Sequence, residues 1–301
     1  MNNLKVWLGP ARTDFLYMDA ACVLLGTGAA VWTHKAVNVW YAVLALIGAL
    51  AAHVSVNALN EYFDFRSGLD LGSNRTPFSG GSGTLLERPG LARWAFGLGL
   101  GALLVAGLIG LYFVSVWGWG LLPLGLLGLL TIVVYTPWIT RLPLVSLIVT
   151  GLGFGLLMIN GVYFVLTGDY SWTSFFASLV PFFLGNCLLL LNQYPDVEAD
   201  KTVGRRNYPI VIGRKASSWM YAGLMAATYI ALVAGVLLGH IPPSGLLGLL
   251  TLPLGAVAAA GVRRYAEDLP HLLRYMGYNV LVMLLTPTLV GLGLLLAAAL
   301  R

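Results

Sequence analysis

VWYAVLALIGALAAHVSVNALNEYFDFRSGLD, residues 39–70, decides how this chain is read. As far as Ala52 it carries neither charge nor side-chain amide. The apolar run reaches residue 63, long enough to cross ~30 Å of hydrocarbon as a helix. Polar residues then enter at helical spacing. His53, Asn57, Asn60 with Glu61, and Asp64 fall three or four apart, on one face. Gly68 is positioned to end the helix, leaving Asp70 in the segment after it. A polar stripe leaving an apolar span predicts a membrane helix that faces a cavity or a partner, because ionisable groups are costly against lipid.

The rest of the chain repeats the apolar theme. Of 301 residues, 58% are hydrophobic and 10% charged, against about 25% charged in soluble domains. Runs long enough to span fall near 15–33, 39–63, 92–114, 119–136, 143–167, 172–191, 217–239, 244–261 and 276–299. These predict an all-α membrane protein: nine transmembrane helices in a bundle around a central cavity, helical because backbone in lipid must satisfy its own hydrogen bonds. Residues 1–301 read as a single domain, and the polar segments, about 64–91 and 192–216, are too short for another. The first apolar run follows Lys5 and Arg12 and continues as an ordinary span, without the pattern of a cleavable signal peptide. Cys22 and Cys187 lie inside apolar runs and read as packing residues.

Nine spans put alternate connections on one side. That side collects Lys5, Arg12, Arg66, Arg75, Arg88, Arg93, Arg141, Lys201, Arg205, Arg206, Arg214, Lys215, Arg263, Arg264 and Arg274, which are 15 of 17 basic residues. Lys35 and Arg301 fall opposite. The bias predicts a cytoplasmic N-terminus. It also accounts for the net charge of +5 without a nucleic-acid partner.

Half of the acids, six of 12, fall in two short windows on the cytoplasmic side. Glu61, Asp64 and Asp70 form the first. The second lies in LNQYPDVEADKTVGRR, residues 191–206, where Asn192, Asp196 and Asp200 recur every fourth residue. Pro195 removes one backbone donor there and predicts a bend or local opening. The windows echo each other, since Asn60 stands four before Asp64 and Asn192 four before Asp196. Facing carboxylates repel unless something positive lies between them. Lysine or arginine can serve. So can Mg²⁺, which takes one or two carboxylates and completes its shell with water and substrate phosphate. The residues alone thus predict Mg²⁺ sites holding a diphosphate at the cytoplasmic mouth of the bundle. Asp64, Asp70, Asp196 and Asp200 are the candidate ligands, with Asn60 and Asn192 offering neutral oxygens. Arg12, Arg66, Arg75, Lys201, Arg205 and Arg206 lie beside them, and arginine suits diphosphate because it donates in pairs. The glycine- and serine-rich TPFSGGSGTL, residues 76–85, reads as a lid, as a source of backbone N–H groups, or as a plain connection.

At these two windows the chain resembles the UbiA superfamily of intramembrane prenyltransferases. The family's first motif, NxxxDxxxD, corresponds to Asn60 and Asp64, with Gly68 next and the last acid displaced to Asp70. Its second, DxxxD, corresponds to Asp196 and Asp200, followed by Lys201 and then Gly204, Arg205 and Arg206. The displaced acid is similar to the branch that prenylates 1,4-dihydroxy-2-naphthoate for menaquinone. So are VYFVLTG, residues 162–168, and YTP, residues 135–137. Glu61 stands where many members carry aspartate. The resemblance implies transfer of an isoprenyl chain from a polyprenyl diphosphate to an aromatic acceptor. Asp64, Asp196, Asp200 and Asn60 would be catalytic, and Arg12, Lys201, Arg205, Arg75 and Asn192 would bind substrate. Tyr62, Tyr135 or Tyr163 would lend ring faces to an allylic cation. Other acceptors of the same chemistry are 4-hydroxybenzoate, homogentisate, a chlorin or haem, and lipid.

Other readings stay in view. His53 is an acceptor-binding group or base, or more simply a histidine hydrogen-bonded in the bundle. Asn60 and Asn192 can cap or bond between helices, and the same holds for Asn160, Asn186 and Asn279. Glu198 reads as a salt-bridge partner. Trp32, Trp40, Trp117 and Trp119 read as interfacial anchors. A cation-coupled transporter also buries carboxylates, but near the midplane between broken helices. The Asp-Gly-Ala-Arg-Gly-Asp type signature of CDP-alcohol phosphotransferases is absent from the sequence.

Overall fold

The apolar runs become helices whose ends are set by short-range chemistry. In the computed structural model, which describes residues 3–73 and 75–301, Asn38 opens one helix by accepting from the Trp40 N–H. Gly68 closes the same helix at φ +79°, donating its N–H back to Asp64 and Phe65. Ser171 and Asp268 cap two others. The helices are α1 (Thr13–His34), α2 (Val39–Ser67), α3 (Pro89–Trp117), α4 (Trp119–Tyr135), α5 (Pro143–Thr167), α6 (Trp172–Thr202), α7 (Arg214–Leu237), α8 (Pro243–Arg264) and α9 (Leu269–Ala299). Eight of these are long and apolar enough to cross a membrane, and α4 is a shorter apolar ninth. Among the described residues there is no strand. The nine predicted spans correspond to these helices one for one. The side chain of Lys5, counted above with the basic set, lies outside what is described.

Burial sorts the helices into layers. α6 and α1 are mostly enclosed, whereas α3 presents Leu100, Leu104, Leu108 and Leu111 outward. In lipid such a face is at home. α1 packs on α9 and α5, α2 on α3, and α6 on α5 and α7. Glycine permits the closest of these approaches. A Cβ on Gly151 of α5 would fall 2.1 Å from the Phe182 carbonyl oxygen of α6.

Next to Gly151 the chain makes one π turn, Leu152–Leu157. The Gly151 N–H is taken up by Asn186 Oδ1 at 2.7 Å. Asn160 accepts from Ser174 Oγ, and Asn279 accepts from the Tyr221 hydroxyl. All three span asparagines therefore bond between helices. Pro195 does not open α6, which stays helical to Thr202.

The two ends of the bundle differ. At one, the Arg301 guanidinium lies 3.3 Å over the Trp32 ring, joining the end of α9 to the end of α1. Trp40 and Trp119 are exposed there, as anchors would be. At the other, Asn57 donates to the Ala11 carbonyl and the Arg206 N–H to the Thr140 carbonyl, gathering the N-terminal segment, α2 and the ends of α4 and α6.

Candidate functional site

That second end is the mouth of a cavity of about 540 Å³. Asn60, Asp64 and Asp70 line it from the first window, and Asn192, Asp196 and Asp200 from the second. The predicted facing walls are therefore real. What joins them directly is Arg205, whose guanidinium donates to Asp64 from one nitrogen and to Asp200 from another, the latter at 3.3 Å. Asn207 donates to the second oxygen of Asp200 at 2.8 Å. Burial opposes the Arg205 charge, but Asp64 and Asp200 outweigh it and its pKa is raised.

The windows share the four-residue step from Asn to Asp and differ in structure. Asp196 and Asp200 lie on one unbroken helix. After Gly68 the first window turns onto a separate short helix, Leu69–Gly72, which carries Asp70. Asp70 is buried, and burial pushes its carboxyl up to about 7, with Asp64 and Glu61 adding to the rise and Arg205 and Arg12 opposing it. Asn60 donates to Thr136 Oγ1 at 3.1 Å, tying the stripe to the end of α4.

Glu61 is not a cavity ligand. It accepts from the Ser82 N–H at 3.0 Å and from the Ser82 hydroxyl, and Arg75 donates to the Ser82 carbonyl. Together they strap the 76–85 loop across the mouth, so that Phe78, Ser79, Gly80 and Gly81 form part of the cavity wall. Gly81 has φ +69°, and a Cβ there would lie 3.2 Å from Glu61 Oε2 and 3.4 Å from Asp70 Oδ1. The loop is a cover that glycine allows to sit against two carboxylates.

Arg12 also lines the mouth, in a left-handed backbone conformation (φ 49°, ψ 53°) uncommon outside glycine. Its guanidinium stands 5.6 Å from the centre of the Phe15 ring.

Four predicted substrate contacts sit elsewhere. Tyr163 is buried away from the cavity, its hydroxyl 2.9 Å from Thr33 Oγ1 toward the end of α1 remote from the mouth. Lys201 is exposed and paired with Glu198 at 3.0 Å, because position 201 falls off the face shared by Asp196 and Asp200. Arg75 holds the loop rather than the cavity. Tyr62 packs on Phe96 and Phe63, outside the cavity wall. Tyr135 does line it.

Below the mouth the wall turns apolar and runs between α2, α3, α4 and α5 to Phe113 and Leu121. On the α1 side it meets Asp19, which the reading of the sequence passed over. Asp19 is fully buried and bonded to His53 Nδ1 at 2.8 Å. A carboxylate inside the first apolar run was the available signal.

Among the described residues no three Asp, Glu, His or Cys side chains stand close enough to share one ion. Mg²⁺ does not need three, since one or two carboxylates suffice when substrate phosphate completes the shell. The oxygen-only donor set suits it, and Asp196 Oδ1 is buried with no hydrogen-bond partner. On that observation the residues fit the ion.

Residues 20–281 match the model of the UbiA prenyltransferase family. The chain belongs to the UbiA prenyltransferase family. It is an integral membrane enzyme of prenyl transfer. Two curated relatives are each called 1,4-dihydroxy-2-naphthoate octaprenyltransferase. The one from Bacillus subtilis is 29% identical over 79% of this chain and 76% of its own. The one from Mycobacterium tuberculosis is 29% identical over 94% and 95%. Among solved structures, a UbiA homolog from Aeropyrum pernix K1 superposes with TM-score 0.68 at 17% identity, covering 94% of this chain and 98% of that one. A UbiA homolog from Archaeoglobus fulgidus bound to GPP and Mg²⁺ gives TM-score 0.64 at 15% identity, covering 96% and 99%. At such identities these structures establish the fold shared by the UbiA enzymes.

Proposed function

We propose that this UbiA-family enzyme transfers the chain of a polyprenyl diphosphate to an aromatic acceptor, 1,4-dihydroxy-2-naphthoate in menaquinone biosynthesis, with Mg²⁺ as the cofactor. The observation that carries the reading is the cavity itself. Two acidic windows and two arginines ring one mouth, and an apolar channel leads away from it. A diphosphate belongs at the first and a hydrocarbon chain in the second. The names of the curated relatives, 1,4-dihydroxy-2-naphthoate octaprenyltransferase, support the acceptor. The Archaeoglobus homolog, solved with GPP and Mg²⁺, supports the donor and the metal. The basic residues support a mouth on the cytoplasmic side.

Asp64, Asp70, Asp196 and Asp200 would hold Mg²⁺, with Asn60 and Asn192 as neutral donors. Bound there, the ion offers Lewis acidity to the leaving diphosphate. The chain's own groups do the rest. Arg12 and Arg205 neutralise charge on the departing diphosphate, an interaction that strengthens as the allylic C–O bond breaks. The Tyr135 ring borders the cavity in which the allylic cation forms, and ring faces attract cations by ~0.5–2 kcal/mol. The 76–85 cover and the apolar wall keep water from the cation.

The test is incubation of the purified protein with Mg²⁺, geranyl or farnesyl diphosphate and a panel of aromatic acids, with products identified by mass. Prenylated, decarboxylated naphthoate is the expected product. Naphthoate left untouched while another acceptor is prenylated would reject the menaquinone assignment. No transfer to any aromatic would reject the reaction class.

A further inference from the structure

Asp19 and His53 form an ionisable pair in the cavity, apart from the acidic mouth. Asp19 Oδ2 stands 2.8 Å from His53 Nδ1, while Asp19 Oδ1 is buried with no partner. Both side chains line the cavity. The imidazole stands edge-on to Phe154 of the π turn, ring centres 5.3 Å apart at 84°. A carboxylate only accepts, so Nδ1 carries the proton and Nε2 presents a lone pair. Several other contacts between helices in this bundle use neutral asparagine, serine, threonine and tyrosine. A half-satisfied buried carboxylate is a costly substitute for those, and this one sits where a ligand would lie.

Position along α2 adds a constraint. Asp64 lies eleven positions after His53, about 16 Å at ~1.5 Å of rise each. That interval has room for a diphosphate head and an aromatic ring placed end to end. The channel toward Phe113 and Leu121 runs along α3 and α4, whereas the Asp19–His53 pair lies on the α1 side. Chain and ring thus have separate walls.

We propose that His53, oriented by Asp19, receives the hydroxyl proton of the aromatic acceptor, making this wall the acceptor subsite. The inference rests on the aromatic prenyltransferase reading above. The ring carbon bearing the carboxylate forms a bond to the allylic carbon, and the allylic C–O bond breaks with its electron pair leaving on diphosphate. The O–H proton of the adjacent ring carbon passes to His53 Nε2, leaving a ketone and an imidazolium that faces Asp19. Loss of the carboxylate as CO₂ returns its electron pair to the ring, and the oxygen recovers its proton from Nε2. His53 is then a catalytic residue and Asp19 a positioning residue.

The experiment uses the full chain with Mg²⁺, farnesyl diphosphate and either 1,4-dihydroxy-2-naphthoate or its 1-methyl ether, which has no proton to give at that oxygen. His53→Ala is expected to lower kcat on the hydroxyl substrate about 100-fold, with KM for farnesyl diphosphate within about twofold of wild type and partial rescue by added imidazole. On the methyl ether, wild type and His53→Ala should be equally slow. His53→Gln, which keeps a bond to Asp19 but takes no proton, should behave like His53→Ala if folding is the concern. Asp19→Asn should lose the preference for the free hydroxyl while leaving farnesyl diphosphate KM unchanged. Wild-type kcat in His53→Ala and His53→Gln, or an equal loss on both acceptors, would overturn the proposal while prenyl transfer stands. A wild-type enzyme that transfers to no hydroxylated aromatic would overturn the parent reading and this inference with it.

Discussion

The two acidic windows share a spacing and little else. In the second, one unbroken helix presents Asn192, Asp196 and Asp200 on one face, and the partners of Asp200 come from the segment immediately after it, Arg205 and Asn207. In the first, the helix stops at Gly68, the third acid moves to a separate turn, and a loop strapped by Glu61 covers it. One window is a rigid wall and the other a wall with a cover. The difference shows that the four-residue spacing places Asp64, Asp196 and Asp200 at the cavity and leaves open what each is bonded to, while Asp70 reaches it by a turn outside that spacing. Asp64 and Asp200 are bridged by a guanidinium, while Asp196 keeps a buried oxygen free.

The sharpest way to break this comparison is to remove one acid from each wall. Asp196→Ala and Asp64→Ala should each lower prenyl transfer by more than about 100-fold, the scale of losing a dominant electrostatic contact to a transition state. Insertion into membranes should be unchanged, as read by yield and elution volume in detergent. Full activity in both would end the diphosphate assignment. Next is the bridge. Arg205→Lys keeps the charge but cannot donate to both walls in one plane, and a loss of about tenfold in kcat/KM for farnesyl diphosphate is expected. The cover comes third. Gly81→Ala strains a positive-φ position and crowds Glu61 and Asp70. A drop of about threefold to tenfold in transfer is expected, with a larger fraction of donor hydrolysed by water, measured as free prenyl alcohol. Lys201→Ala should be the smallest, within about twofold of wild type, because Lys201 faces outward in a surface pair.

The legible part of this molecule follows from two periodicities. The apolar runs gave the helices, and the four-residue recurrence of Asn and Asp gave the cavity-facing acids, because both are properties of a single helix. Glu61 as a loop clasp, Arg205 as a bridge and Arg75 as a strap depend on how a connecting segment folds back, which no local period encodes. Tyr163 and Lys201 stand close in sequence to motif residues, and the helix turns both away from the cavity. Asp19 was missed for the opposite reason. It stands alone in its run, without the neighbours that made the two windows visible, and its partner lies 34 positions later on another helix.

The extra residue in the Leu152–Leu157 turn has a consequence for how this pocket can change over evolution. A π turn takes one more residue into about the same rotation as an α turn, so the residues after it keep their faces while each stands one position later in the sequence than on an unbroken helix. Deleting a single residue there would leave α5 long enough to span and Met158 on the wall it now lines, while Phe154 and Leu157, inside the turn, would be displaced. The stretch of wall beside His53 is thus tied to one extra residue, which a single codon lost or gained can remove or restore.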